Sequence, residues 1–338
     1  MKRFVDVNGT FDIQIPENWK YTVNDGKVHT FQYYISERNF DTFQLSINEL
    51  STPQSIKRFK LLIKGRKYKI LNDVKFFDVS NPSVDKNQIL IFVSSIENEI
   101  ILFTFLFDID QNVSEVRKFI EEKRNFAFEI ISSFRLIRPE YSVLVYESYL
   151  FGNFMIGVGA SNYLLNIAIE KKSFIEATCL LANIIDALLR IGIVLKYQLI
   201  NKNSRIERMW IYQGDKDKII TEKKVYEKAK EIQIISESLF NELFALYDKR
   251  NRVVHRFIIS EINLADVEEI ATEYYLLFQK LNDIIKKIEE EQILTKTGMT
   301  VQSDDIDIDY MDLIKSKIIN MDFIKWDMFQ PLTNKLKT

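Results

Sequence analysis

A histidine follows an arginine by five positions near the end of a helical apolar pattern, and the two side chains together can do chemistry. The segment runs Arg250-Asn251-Arg252-Val253-Val254-His255. At ~100° per residue, Asn251 and His255 share one helix face, whereas Arg250 and His255 lie ~140° apart. The long side chain of Arg250 can still swing toward the imidazole. A guanidinium, an amide and an imidazole within one turn can bind a phosphate and move a proton.

This Arg-x4-His pattern, with a polar residue directly after the arginine and apolar residues around it, resembles the signature of the HEPN superfamily. The similarity covers roughly residues 150–292. It implies a small all-α domain, which in many members is a metal-independent ribonuclease that works as a homodimer. Under this resemblance, His255 is the general acid or base, Arg250 holds the scissile phosphate, and Asn251 positions the ring or the phosphate.

An acidic residue on an earlier helix is a further candidate. HEPN-like domains often carry an acidic or polar residue that faces the Arg/His pair, and Asp186 is the position that looks similar. There it would orient the imidazole or hold the guanidinium. An alternative interpretation stays open, since Asp186 and Arg190 have the spacing of an i, i+4 ion pair on a solvated helix face.

A dense cationic cluster surrounds this segment. Lys249, Arg252 and Arg256 accompany Arg250, and we expect them to bind RNA phosphates. The formal net charge of −2 excludes a basic field over the whole surface, so any RNA contact must be local. In the competing interpretation, Arg250 and His255 only neutralise the dipole at the C-terminal end of a helix.

No metal or cofactor is expected, because no His/Cys cluster and no carboxylate set at ligand spacing occurs in the sequence. The single cysteine, Cys179, lies in an apolar helical pattern and is expected to be a small core residue in a reducing cytoplasm. The start of the chain lacks the apolar core of a signal peptide. The uncharged run 148–169 contains three glycines and three asparagines, which makes it too polar for a spanning helix. We therefore expect a cytoplasmic protein with no membrane partner.

The first part of the chain predicts an α+β fold. Alternating runs such as Thr10–Ile15, 29–34, 43–47, 74–79, 89–94 and 100–107 predict strands, and helices are predicted from Pro53 and over 113–134. This order favours an antiparallel sheet packed by helices. The opening FDIQIPENWKY and the closing FEIISSFRLI resemble PsbP-like domains, which implies a binding or scaffolding module without catalytic groups.

A boundary is predicted around Ile137-Arg138-Pro139-Glu140, where alternation gives way to helical periodicity. The predicted domains are 1–138, PsbP-like α+β; 139–294, an all-α HEPN-like bundle; and 295–338, a linker with an amphipathic C-terminal segment. Within the bundle, a first helix is expected near Ser161, a junction at Lys171-Lys172-Ser173, and a last long helix capped by Asn263 or Asp266. Residues 310–324 are expected to dock on their own chain or on a partner.

Two hypotheses of different classes follow. The first is a metal-independent endoribonuclease, with RNA as substrate and a second copy of the chain as partner. A toxin–antitoxin or phage-defence setting, and hence a cognate antitoxin, is what the HEPN resemblance implies. The alternative is a non-catalytic HEPN-type module that dimerises and binds nucleic acid or protein, because a fold does not fix an activity.

Overall fold

The structure is a computed structural model that describes residues 1–24, 27–36, 39–80, 87–108, 116–214 and 217–300. The chain forms two compact units, Met1–Ser142 and Val143–Thr338. The predicted amphipathic segment 310–324 lies outside the described residues, and so do the first residues of the helix predicted over 113–134.

The first unit contains two antiparallel sheets. A three-stranded sheet has the order β1-β2-β10, and a seven-stranded sheet has the order β3-β4-β5-β9-β8-β7-β6. The strands are β1 Lys2–Val5, β2 Phe11–Ile15, β3 Lys20–Asn24, β4 Val28–Ser36, β5 Asn39–Glu49, β6 Tyr68–Leu71, β7 Val74–Asp78, β8 Asn87–Ile96, β9 Glu99–Asp108 and β10 Arg135–Leu136. The predicted α+β class is confirmed.

Alternating phenylalanines build the core of this unit. Along β9, Ile101, Phe103, Phe105 and Phe107 are fully buried, while the residues between them are partly exposed. That period of two places every second side chain on the face that packs against helix α2, Val116–Ser132. The predicted alternating runs correspond to β2, β4, β5, β7, β8 and β9.

Helix α1, Pro53–Ile63, is the other helix of the described part of the first unit. A capping box starts it, since Thr52 accepts from the backbone of Ser55 and Ser55 reaches back to Thr52. None of its residues is buried, and none belongs to the phenylalanine core. The strands β1, β3 and β6 were not predicted; each has four or five residues and buries no more than one of them.

The second unit is helical, as predicted. Its helices are α3 Ser142–Glu170, α4 Phe174–Asn201, α5 Arg208–Ile211, α6 Glu222–Glu231, α7 Glu237–Arg256 and α8 Leu264–Thr295, with short 3₁₀ turns at Pro139–Tyr141 and Phe257–Ile259. The junction after α3 lies at Lys171-Lys172-Ser173, as predicted, and Asn263 caps α8 together with Asp266.

Helix α3 begins at Ser142, so the expectation that it starts near Ser161 is wrong. Its glycines, Gly152, Gly157 and Gly159, do not break the helix, because a long helix can absorb the roughly 1 kcal/mol that each glycine costs. By length and composition alone, α3 and α4 could each cross a membrane. The most apolar stretch of α4 is 72% buried within the protein, which is typical of a core helix, whereas that of α3 is 28% buried.

Helices α4 and α8 form the centre of this core and run parallel. Gly192 of α4 lies so close to α8 that a Cβ there would be 2.6 Å from Cδ1 of Ile285. Farther along both helices, Gln292 donates to the carbonyl of Leu195 at 2.9 Å and to the side chain of Gln198 at 3.0 Å. Both glutamines are completely buried, and their hydrogen bonds fix the register of the two helices.

The buried His29 makes the first unit sensitive to acid. Its ring is 8% exposed, lies 2.9 Å from the hydroxyl of Tyr21, and meets the ring of Phe11 edge-on. Burial lowers its pKa from the ordinary value of 6.5, and the charge of Asp6 opposes this only in part. The unfolded chain therefore binds a proton that the folded chain rejects, so stability decreases as the pH falls below 6.5 toward the lowered value.

We expect NMR ring-proton signals to show His29 titrating below 6.5. The chain has two histidines, so the signal that disappears in His29→Gln identifies this ring. The same variant should lose less stability than the natural chain between about pH 7 and about pH 5, because it removes one group with a depressed pKa. A His29 signal that titrates at or above 6.5 would contradict this account.

Candidate functional site

Helix α7 places Arg250 and His255 on opposite sides. Ser236 caps its first turn, and Leu239, Leu243, Leu246 and Val253 form its buried stripe. On a helical projection Arg250 falls within this stripe, between Leu239 and Leu243, whereas His255 lies on the far side. The spacing of the apolar residues alone predicts that Arg250 faces the core. Its long side chain, however, could point either into the core or toward His255.

Arg250 is held inside the helical unit. Its Nη2 donates to Oε2 of Glu222, the first residue of α6, and its guanidinium lies 4.8 Å from the ring centre of Tyr247. The other oxygen of Glu222 accepts from the hydroxyl of Tyr226. The side chains of Arg250 and Glu222 are 19% and 17% exposed, so this ion pair is largely withdrawn from water.

Asp186 on α4 faces the same interior. It accepts from Nε of Arg190 at 2.6 Å, and Arg190 also donates to the carbonyls of Trp210 and Ile220, both at 3.1 Å. The other oxygen of Asp186 is buried and has no hydrogen-bond partner among the residues described. The i, i+4 pair with Arg190 is therefore present, but on a half-buried face rather than a solvated one.

The charged side chains around Arg250 influence one another's pKa values. Burial raises the pKa of Asp186, and the positive charges of Arg190 and Arg250 oppose that rise. Burial also raises the pKa of Glu222, while the hydrogen bond from Tyr226 and the charge of Arg250 oppose it. For Tyr226, burial and then the negative charge of Glu222 raise the pKa far above its ordinary range. We call Asp186, Arg190, Glu222, Tyr226 and Arg250 the polar cluster.

His255 and two neighbouring cations face solvent. The side chains of Arg252, His255 and Arg256 are exposed, and none of them forms an ion pair with a described residue. Beside them, Ile258 and Ile259 are 94% and 82% exposed. This outer end of α7 thus combines an imidazole, apolar side chains and two guanidinium groups that have no ion-pair partner among the described residues.

The remaining predicted residues are divided between these two environments. Lys249 pairs with Glu273 of α8 at 2.6 Å, and Asn251 is half-buried. Arg250 and His255 share no hydrogen bond within the described part of the chain. The structure brings Arg250 and Asp186 into one cluster and leaves His255 outside it.

Glu222 and Tyr226 are the residues that the sequence did not reveal. They lie in the polar segment 201–233, where acidic and basic residues alternate, and Glu222 is 28 positions from Arg250. The sequence Thr221-Glu222 is typical of the start of a helix, with an acidic residue in the first turn. This signal predicts the helix but not the pairing of Glu222 with Arg250. Among the described residues, no group of three His, Cys, Asp or Glu side chains is arranged to hold a metal ion.

Comparison with known proteins does not refine the class that the fold defines, an α+β sheet unit followed by a helical unit. No family model matches the chain, and no curated sequence is significantly similar to it. A crystal structure from Bacteroides thetaiotaomicron has a TM-score of 0.30 and 10% identity, covering 53% of this chain and 68% of that one. The solution structure of cyanobacterial PsbP from Synechocystis has a TM-score of 0.28 and 13% identity, covering 40% of this chain and 92% of that one. Both TM-scores are below 0.5, so the PsbP-like and HEPN resemblances both stay predictions.

Removing the partner of Arg250 should destabilise the helical unit. In Glu222→Gln the guanidinium keeps its half-buried position but loses its paired carboxylate, so we expect the free energy of unfolding to fall by about 2 kcal/mol. Urea unfolding followed by far-ultraviolet circular dichroism measures this. The matched control is Glu227→Gln, which removes an exposed carboxylate from the same helix and should leave stability unchanged. Equal stabilities of the two variants would show that the pair is not a structural element.

Proposed function

We propose that the helical unit is a HEPN-like, metal-independent endoribonuclease that acts on RNA as a homodimer. The observation that carries the proposal is the outer end of α7, where the exposed His255 follows Arg252 by three positions and directly precedes Arg256, and neither guanidinium group forms an ion pair with a described residue. Guanidinium groups bind phosphate oxygens, and an imidazole can serve as a general acid or a general base.

The chemistry requires no group beyond those of the protein. The 2′-hydroxyl oxygen of RNA attacks the neighbouring phosphorus, and the bond to the 5′-oxygen breaks, which leaves a cyclic 2′,3′-phosphate and a free 5′-hydroxyl. One imidazole removes the proton from the attacking hydroxyl, and one protonated imidazole supplies a proton to the leaving oxygen. Each chain offers one histidine at this place, so a dimer that pairs two copies of His255 supplies both roles.

The apolar side chains next to the histidine support the dimer. Ile258 and Ile259 are almost completely exposed, and such pairs of large aliphatic side chains are typical of surfaces that contact another protein. Contact between two copies at this end of α7 would bring both imidazoles and the four guanidinium groups of Arg252 and Arg256 together. Lys249 and Asn251 would then play minor parts, since Lys249 already pairs with Glu273.

Arg250 and Asp186 enter this proposal through the polar cluster. Arg250 would reach the scissile phosphate by exchanging Glu222 for a phosphate oxygen, and Asp186, with its unpaired oxygen, would hold the guanidinium during that exchange. In a cell, a ribonuclease of this kind would fit a cytoplasmic toxin–antitoxin or phage-defence role with a cognate antitoxin. The first unit would then be a binding or scaffolding module.

The second candidate is a non-catalytic module that dimerises and binds nucleic acid or protein, and the ion pair between Arg250 and Glu222 favours it. A paired guanidinium contributes to the stability of the unit and is not free to bind a phosphate. The same outer end of α7 then binds RNA without cleaving it.

We expect purified protein to cleave single-stranded RNA in the presence of EDTA. His255→Ala should cleave at least ~100-fold more slowly, because general acid–base catalysis typically contributes that much or more. Arg252→Gln/Arg256→Gln should bind RNA more weakly and lower the dependence of log Kd on log salt by about 1.4, from about 0.7 per lost cation.

The matched control is Lys171→Gln/Lys287→Gln, which removes two exposed cations elsewhere in the helical unit and should change neither property. If no chain cleaves RNA while the guanidinium variant still binds it more weakly, the non-catalytic module is correct. If His255→Ala cleaves as fast as the natural chain, the imidazole has no catalytic role.

A further inference from the structure

The first unit carries a cationic surface that the proposed ribonuclease does not use. Residues 50–72 contain seven cations and no carboxylate. The cations are Lys57, Arg58, Lys60, Lys64, Arg66, Lys67 and Lys69. All seven are exposed, and none forms an ion pair with another described residue. In a chain of net charge −2, this stretch is a concentrated positive patch.

Large aliphatic side chains project among these cations. Leu61 and Leu62, at the end of α1, are 63% and 44% exposed, and Ile70 on the edge strand β6 is 56% exposed. Helix α1 buries none of its residues and does not belong to the phenylalanine core of its unit. The structural core therefore does not explain why leucines occupy these positions.

The two leucines and three of the cations line a shallow depression that is open to solvent. It has a volume of about 720 Å³ and is lined by Arg58, Leu61, Leu62, Lys64, Gly65 and Arg66. Gly65 has a φ of +71°, so the chain turns sharply out of α1 and places Lys64 and Arg66 at the same rim as Arg58. Three cations at the rim suit an anionic headgroup, and the leucines beside them suit the start of an acyl chain.

We propose that helix α1, the turn at Gly65 and strand β6 form a docking surface for an anionic phospholipid membrane. The helix lies in the plane of the interface, with Leu61 and Leu62 inserted below the headgroups and the cations among the lipid phosphates. The expectation of no membrane partner rested on the absence of a spanning segment. A helix that lies on the surface requires none.

Other partners fit this surface less well. Two copies of it would repel each other, because it has no carboxylate to pair with its seven cations. Nonspecific binding of single-stranded RNA relies on free aromatic faces for stacking. The exposed aromatic residue here is Tyr68, and the ammonium group of Lys75 already lies 5.0 Å from its ring centre. The exposed leucines favour lipid.

The test is flotation of the full chain with vesicles of phosphatidylcholine alone and with vesicles that also contain phosphatidylserine. We expect binding only to the anionic vesicles, and weaker binding at higher salt. Arg58→Gln/Lys64→Gln/Arg66→Gln should weaken binding about 100-fold, from roughly fivefold per cation. Leu61→Gln/Leu62→Gln should weaken it about 10-fold or more, through lost burial of apolar surface. Both variants replace exposed side chains, so circular dichroism should show an unchanged fold.

The control Lys171→Gln/Lys224→Gln/Lys287→Gln removes three exposed cations from the second unit and should bind vesicles normally. The proposal is overturned if the full chain does not float with anionic vesicles, or if the leucine variant binds them as well as the natural chain. If the chain instead binds single-stranded RNA through Arg58, Lys64 and Arg66 and ignores vesicles, the surface is a nucleic-acid site. RNA cleavage by the second unit is measured separately, so either idea can fail alone.

Discussion

The helical unit is organised around one guanidinium that has been withdrawn from water. A half-buried Arg250 is tolerable only if an anion and hydrogen-bond acceptors surround it, because desolvating a charge costs several kcal/mol. Glu222 supplies the anion, Tyr226 orients Glu222, and Asp186 with Arg190 adds a second pair nearby. Two carboxylates and two guanidinium groups leave the cluster neutral. Helices α4, α6 and α7 must all be in place for this neutrality, so the cluster couples their packing.

This constraint separates the two residues that the Arg-x4-His pattern joins. In one helix, a spacing of five places the side chains far apart around the axis, and the apolar stripe of α7 decides which of them turns inward. Arg250 lies in the stripe and His255 does not. Chemistry that uses both therefore needs an arginine that leaves Glu222, or a second chain that brings its own groups to the exposed imidazole.

Much of the fold could be predicted from the hydrophobic periodicity of the sequence and from its helix-capping residues. The alternation over 100–107, the helix start at Pro53 and the Asn263 cap of α8 are local signals, and each one appears where the sequence places it. The start of α3 was predicted wrongly, since the helix begins at Ser142, well before the residues near Ser161 where it was expected. Of the candidate site, the sequence identified Arg250, His255 and Asp186 but not Glu222, because a partner 28 positions away is chosen by tertiary packing.

The near-zero net charge of the chain conceals two local fields of the same sign. The field of an exposed cation extends only about 8 Å at physiological salt. The side chains within that distance therefore decide which ligand the cation can bind. At the outer end of α7, Arg252 and Arg256 form no ion pair with a described residue, and the exposed His255 is their neighbour in sequence. At the end of α1, cations flank Leu61 and Leu62, which have no proton to exchange but gain free energy by leaving water. We therefore propose reaction or binding of RNA at one surface and adhesion to lipid at the other, because the side chains beside the cations differ.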